Sequence, residues 1–442
     1  MYPKNIAFNH MNIYWHDYAA QAKDIPITAS NLIAKSSIIG RVGLMLLSCG
    51  TGAWRVRSSM NTLAENLGIT CTANIGLLSI DYTCFDGKEC FSQSLCLTNT
   101  GVNTAKLNAL EQFIAEFSTR NKYLSAEELH SALDKIADIK GLYSPAFLGL
   151  AAAFACSAFT FLLGGGLVEM ICAFLGAGCG NYLRSKLLAR HLTLFLCIVV
   201  SVTLACLVYV CALRCAENLF SISAQHEAGY ICAMLFIIPG FPFITSGIDM
   251  AKLDMRSGLE RLFYSIVIIG VATITAWVMA SVLGLKPIEF TPLALSPGVL
   301  LILRFIASFI GVFGFSIMFN SPVFLALAAA MIGAGANTLR LELIEFTTIT
   351  PAAATFIGAL TAGILASVLK KHLGYPRIAI TVPSVVIMVP GLYLYRAVYN
   401  LGTMSLMTAA EWFASAMLII VALQLGLIFA RIITDKAFRY CT

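Results

Sequence analysis

The rhythm of polar and apolar positions changes once along the chain, near Pro145. Before it the pattern is mixed and short-period. After it come apolar runs of about 20 residues, the length a helix needs to cross a bilayer. The early part predicts a small α+β domain over 28–143, preceded by a polar and aromatic stretch, 1–27, read as a loosely ordered tail. Helical spacing of apolar residues predicts a helix over Ile33–Leu47. Past the small-residue bend Ser48-Cys49-Gly50-Thr51-Gly52 it predicts a second over Ala53–Asn66, ended by Gly68. Two strand-like runs, Ile69–Thr83 and Glu89–Leu97, flank Asp86-Gly87, a hairpin signal. Helices are expected over Thr104–Phe117 and Ser125–Ile139, the second opening on a capping box from Ser125 to Glu128.

The apolar part predicts ten spans, at 146–164, 166–183, 191–213, 228–248, 262–285, 298–319, 321–338, 351–369, 377–399 and 412–433. Two of them are broken by the same dipeptide, Pro239-Gly240 and Pro390-Gly391. Proline removes a backbone hydrogen bond and clashes with the preceding turn, and glycine loosens the chain further. In lipid such a break survives only where protein or a watery cavity satisfies the freed groups. Other landmarks recur in the same order. Ser144-Pro145 returns as Ser296-Pro297. Gly176-Ala177-Gly178 with Asn181 and Arg184 returns as Gly333-Ala334-Gly335 with Asn337 and Arg340. Five spans per half is an odd number, so the second half is expected to be inverted. The fold class expected is a polytopic α-helical membrane protein: ten transmembrane helices as two inverted five-helix repeats, 144–290 and 291–442, after a small cytoplasmic α+β domain. In such proteins paired helix breaks mark the substrate path. Gly164-Gly165-Gly166 and Asn320-Ser321-Pro322, before the second and seventh spans, are further interruptions, readable also as plain turns.

Composition agrees: 59% of the 442 residues are hydrophobic and 12% charged, against roughly 25% charged in soluble domains, and mean hydropathy is +0.83. The net charge of +6 is small for the length and reads as a topology signal rather than a nucleic-acid surface. With the N-terminus inside, the inside loops hold Arg184, Lys186, Arg190, Lys252, Arg256, Arg261, Lys370, Lys371, Arg377, Arg431, Lys436 and Arg439. The outside loops hold Arg214, Lys286 and Arg340. Both termini are therefore expected in the cytoplasm of a cell whose inner membrane the chain spans. No signal peptide opens the sequence. The 14 cysteines lack metal spacing, and those in apolar runs behave as small hydrophobes. Cys84, Cys90 and Cys96, evenly spaced in the early part, are expected as free thiols in a cytosolic domain. No cofactor or metal is expected.

Few ionisable residues fall inside the spans, where each costs at least about 2.5 kcal/mol. Glu169 and Asp249 are the candidates for carrying a proton. Arg304 and Arg396 are candidates for meeting a substrate carboxylate, which a guanidinium matches with a two-point fork. Asn320, Asn337 and the backbone at Pro239, Gly240, Pro390 and Gly391 complete the expected substrate site. Freed N–H groups there favour an anion and freed carbonyls a cation, which together suit a zwitterion. Against this stand plain structural roles. Arg396 and Asp249 would snorkel to the interface. Arg304 would snorkel or form an ion pair with Glu169.

The order of motifs resembles the threonine/serine exporter family from about residue 36 onward. The residues that carry the resemblance begin with the bend Ser48-Cys49-Gly50-Thr51-Gly52, Trp54-Arg55-Val56 and Leu63-Ala64-Glu65-Asn66-Leu67-Gly68. In the membrane part they are Gly164-Gly165-Gly166 with Glu169, Pro239-Gly240 with Asp249, Gly258 and Arg261, and Val382-Pro383 with Pro390-Gly391 and Tyr395-Arg396. Where the family usually has an acid after Arg-Val, this chain has Arg57. The resemblance implies proton-driven export of small neutral amino acids, chiefly threonine and serine, with both halves fused in one chain. Some split members are associated with succinate, which keeps a dicarboxylate as an alternative substrate.

Two other classes compete. A membrane-anchored hydrolase would use Ser48, Cys49 or Thr51 in the bend. But His130 is the only histidine between residues 17 and 190, and the bend joins helix to helix, without the strand of a nucleophile elbow. A passive channel would need a charge ring or carbonyl filter, which is not evident. Expected partners are the small solute, protons, membrane lipid and, through the exposed hairpin edge of the early domain, further copies of the chain; nucleic acid is not among them.

Overall fold

The computed structural model describes residues 13–19, 25–139, 141–220, 229–285, 290 and 295–440. Residues 1–12 and 20–24 of the expected tail, and Lys286, lie outside them. Two compact units are present. One combines the described residues up to Gly141 with the internal segment Ile248–Arg261; the other combines Leu142–Gly247 with the described residues from Leu262 on.

The N-terminal unit is built around helix α1, Leu32–Ser48, which opens where the Asn31 side chain accepts a hydrogen bond from Ala34 N. Glycines on α1 let its neighbours close in. Gly43 leaves room for Met60, whose sulfur would sit 2.7 Å from a Cβ there. Met60 belongs to α2, Ala53–Asn66, which ends at Gly68 in the left-handed region (φ 68°). Three strands follow, β1 Thr70–Ile75, β2 Ser79–Phe85 and β3 Cys90–Cys96, as an antiparallel sheet in that order. The run expected as one strand, Ile69–Thr83, is therefore two strands. Gly76 donates to Ser79 O (2.8 Å) and folds the chain back. Leu77 and Leu78 at the tip kept the apolar rhythm going in the sequence and hid the turn. The second turn falls at Asp86-Gly87 as expected, with Asp86 Oδ1 accepting from Lys88 N and Glu89 N. Helices α3, Thr104–Ala115, and α4, Ala126–Ala137, complete the unit, and α4 carries the Ser125–Glu128 capping box. Part of the expected loose tail is docked: Trp15–Ala19 form a 3-10 turn, with Trp15 stacked on His130 and Tyr18 accepting from Gln93.

The second unit is helical. Its elements are α5 Pro145–Leu162, α6 Leu167–Ala189, α7 Leu194–Phe220, α8 Tyr230–Ala233, α9 Gly240–Ala251, α10 Met255–Leu283, α11 Pro297–Met318, α12 Val323–Phe346, α13 Pro351–Leu373, α14 Arg377–Val386, α15 Gly391–Gly402 and α16 Leu406–Thr434. The ends of α9 and α10 reach into the N-terminal unit. Among the described residues, seven helices are long and apolar enough to cross a membrane, or nine if each bent pair counts as one span. Helix α6 covers the expected second span but is not among them; it carries Glu169, Arg184 and Lys186. Small residues set the closest approaches, as is usual between membrane helices. A Cβ on Gly314 of α11 would lie 2.6 Å from Ala151 O of α5, and one on Gly149 of α5 would lie 2.9 Å from Gly178 O of α6.

Several residues counted as loop charges are not in loops. Arg340 lies inside α12, which runs on to Phe346, and Arg184 lies inside α6. Arg261 is buried inside α10, which starts seven residues before the expected span. The charge asymmetry along the sequence thus counted buried and half-buried helix residues as solvated loop residues.

Candidate functional site

The two Pro-Gly breaks are built alike. At the first, Ile238 N donates to Leu235 O (3.1 Å) and Gly240 N to Ile238 O (2.9 Å). At the second, Val389 N donates to Val386 O (3.2 Å) and Gly391 N to Val389 O (2.9 Å). The proline, which has no N–H, then supplies the first carbonyl of the next helix: Pro239 O accepts from Phe243 N (3.2 Å) and Pro390 O from Leu394 N (3.1 Å). The helix pieces bend by 56° and 50°.

The breaks also pack on each other reciprocally. A Cβ on Gly240 would collide with Val386; one on Gly391 would collide with Ile238 and lie 3.2 Å from Leu235. Val386 and Leu235 are offset by the same number of residues as the two glycines. Gly176 lies against Ala233 and Gly333 against Ser384, a pair related by that same offset. Glycine is required at these points because backbone meets backbone or a branched side chain with no room for a methyl group. A cavity beside the second break, between Phe243, Pro390 and Gln424, holds only about 10 Å³, room for one water at most.

Two of the sequence candidates, Glu169 of α6 and Arg396 of α15, have separate surroundings. Glu169, 1% exposed, accepts from Gly166 N (3.0 Å) and so caps the first turn of α6. Gly229, just before α8, lies against the Glu169 side chain and the Tyr209 hydroxyl. Arg396 of α15 stacks on the Trp412 ring at 4.6 Å. The buried hydroxyls of Tyr230 and Tyr395 are hydrogen-bonded to each other. Sequence reading missed these tyrosines and Gln424, whose amide donates to Phe243 O (2.8 Å) and Ser246 Oγ (3.3 Å) on α9. The tyrosines flank the breaks in sequence, Tyr230 nine residues before Pro239 and Tyr395 five after Pro390, whereas Gln424 lies far from both and only helix packing brings it there.

The other candidates have structural partners. Arg304 pairs with Glu342 (2.8 Å) and Glu345 of α12, not with Glu169. Asn320, at φ 59°, accepts from Leu142 N (2.7 Å) and holds the start of α5. Asn337 donates to Ser308 Oγ (2.9 Å), joining α12 to α11.

Asp249 belongs to the N-terminal unit, with the rest of Ile248–Arg261. One of its oxygens accepts from Ala53 N (3.0 Å) at the start of α2 and from Ser257 Oγ (3.0 Å), and faces Arg261 Nε at 3.3 Å. Arg261 in turn donates to Gly50 O (3.2 Å) and Thr51 O (2.8 Å) of the bend. Gly52 is open enough for this: a Cβ there would lie 2.5 Å from the Asp249 carboxylate. Around the pair, Lys252 stacks on Trp54, Arg57 pairs with Asp254, and Glu260 accepts from Leu77 N (2.6 Å) at the β1–β2 turn. The bend that looked like a nucleophile turn is the seat of a clamp on Ile248–Arg261. Arg57, through its pair with Asp254, supplies one arm of it.

Helices of this number and apolarity define a multi-pass membrane protein. One family model, a threonine/serine exporter (ThrE), matches residues 37–283, and a second, Threonine/Serine exporter, ThrE, matches residues 304–433. The chain belongs to the threonine/serine exporter family, a family of transporters rather than enzymes. No curated protein and no solved structure matches it.

Proposed function

We propose that the chain is a proton-driven exporter of small neutral amino acids, chiefly threonine and serine, working by alternating access in a bacterial inner membrane. The observation that carries this reading is the pair of like-built, reciprocally packed helix breaks. Their reciprocity supports two inverted five-helix repeats, with α6 as the tenth span and both termini cytoplasmic. The substrate sits between Pro239-Gly240 and Pro390-Gly391, where each proline-ended helix piece exposes backbone groups to a zwitterion. Arg396 meets its carboxylate, and Glu169 carries the proton. Arg304, Asn320 and Asn337 hold helices together at the edge of this site. The breaks are closed in this conformation, since the adjoining cavity has no room for an amino acid, so the helix pieces must part to load one.

The test is efflux of labelled threonine, serine and succinate from proteoliposomes, with and without a proton gradient. Gradient-dependent threonine and serine efflux is expected, lost in Glu169→Gln while counterflow exchange persists. Succinate efflux alone would move the substrate class to dicarboxylates, and coupling that survives Glu169→Gln would remove Glu169 from the proton path.

A further inference from the structure

The β1–β2 hairpin holds a chemistry that transport does not use. Gly76 and Ser79 close its turn as a hydrogen-bonded pair. Bonded and non-bonded pairs alternate outward along an antiparallel ladder. The register Ile75↔Ile80, Asn74↔Asp81, Ala73↔Tyr82, Thr72↔Thr83, Cys71↔Cys84 therefore places the two cysteines in a non-bonded pair. There the Cα atoms stand about 4.5 Å apart and side chains are nearest, within the roughly 4.4–6.8 Å that a disulfide spans. Both cysteines lie on the face shared with Ala73, Ile75, Ile80 and Tyr82, all buried. Both are reduced. Cys84 is buried and Cys71 half-buried, so one sulfur is reachable and its partner waits behind it. No other cysteine of the sheet faces a cysteine: Cys90 is opposite Phe85 and Cys96 opposite Ser79.

We propose that Cys71 and Cys84 are a redox-active dithiol that consumes a hydroperoxide and closes as a cross-strand disulfide. The Cys71 sulfur attacks the outer peroxide oxygen, the O–O bond breaks, and the alcohol or water leaves with the thiol proton, giving a sulfenic acid. The Cys84 sulfur then attacks the Cys71 sulfur, the S–O bond breaks, and hydroxide leaves as water with the second proton. The dithiol loses two electrons and the peroxide gains them.

The test treats the full-length protein in detergent with hydrogen peroxide, alkylates the remaining thiols, and maps peptides without reduction. A reversible Cys71–Cys84 link is expected, with loss of alkylation at both. In Cys84→Ser, dimedone should label Cys71; in Cys71→Ser, link and label should both disappear. The wild-type map decides the matter even if a variant folds poorly. Cys71 and Cys84 still alkylating after peroxide, or links running through Cys90 or Cys96 instead, would overturn the assignment.

Discussion

The two broken spans share one backbone design and part company at their ends. Nine residues past the first glycine stands Asp249; nine past the second stands Asn400. Asp249 is fully buried, ion-paired with Arg261 and bonded to the start of α2. Asn400 stays local, its amide donating to Arg396 O (2.8 Å) one turn back on α15. The end of the first broken helix, from Ile248 on, thus belongs to the N-terminal unit. The other ends at Gly402, which gives the Trp277 ring room, and turns directly into α16. The first broken helix thus has a handle, Ile248–Arg261, that the second lacks.

The sharpest way to break the comparison is to cut the handle. Removing one partner of a buried ion pair costs about 3–5 kcal/mol, because the other charge is left buried and alone. Asp249→Ala or Arg261→Met should therefore destabilise the N-terminal unit by about that much, read as thermal unfolding of the purified protein. The double variant should lose less than the sum of the two, as coupled neighbours do. Asn400→Ala removes a single hydrogen bond and should cost about 0.5–1.5 kcal/mol. Equal losses at the two positions would mean that the asymmetry has no energetic content.

The shared part of the comparison is tested next. Gly240→Ala and Gly391→Ala force a methyl group against Val386 and Ile238, and overpacking of this kind costs about 1–3 kcal/mol. Each should be relieved by trimming its own collision partner, Val386→Ala for Gly240→Ala and Ile238→Ala for Gly391→Ala, with threonine efflux recovering in parallel. Rescue at one break only would show that the two are not equivalent in function. A smaller effect separates the arginines. Arg304 pairs with part-exposed carboxylates, and pairs of that kind contribute about 0–1 kcal/mol. Arg304→Gln should leave the KM for threonine efflux near wild type, whereas Arg396→Gln should raise it.

Most of the N-terminal elements were legible because their signals are local. The capping box at Ser125, the left-handed Gly68 and the Asp86-Gly87 turn each depend on residues within a turn of one another. The Pro-Gly breaks were legible for the same reason. What the sequence hid was long-range. Asp249 reads as a membrane carboxylate until the bend around Gly52, some two hundred residues earlier, is seen to hold it. Arg304 reads as a substrate ligand until Glu342 and Glu345 close on it. A charge in an apolar run shows only that a partner is required; which partner is decided by helix packing. The Gly76 turn was missed for a different reason, since leucines at a hairpin tip imitate a strand that continues.

The smallest expected effect concerns how the strap Trp15–Ala19 stays on the N-terminal unit. His16 bridges two carboxylates of α4, with Nδ1 2.8 Å from Glu127 and Nε2 2.7 Å from Asp134. Arg41 also pairs with Asp134, and Trp15 stacks on the buried His130. The Asp134 hydrogen bond, joined by Glu127 and opposed by burial, raises the His16 imidazole above its ordinary 6.5. A raised value means that the charged form is the docked one. The stabilisation is complete below 6.5 and disappears as pH climbs through the higher folded value. His130 behaves oppositely. Burial, then Arg41, pulls it down to about 3, so its neutral ring supports the unit above 6.5 and is lost as pH falls toward that value. The strap should therefore loosen as pH rises from 6.5 through the higher value of docked His16, without the unit unfolding. Hydrogen exchange at residues 15–19, corrected for intrinsic rates, should speed up there, and His16→Gln should flatten that dependence. If the variant keeps the wild-type pH profile, the strap is held by Trp15 and Tyr18 packing alone, and the His16 charge has no part in it.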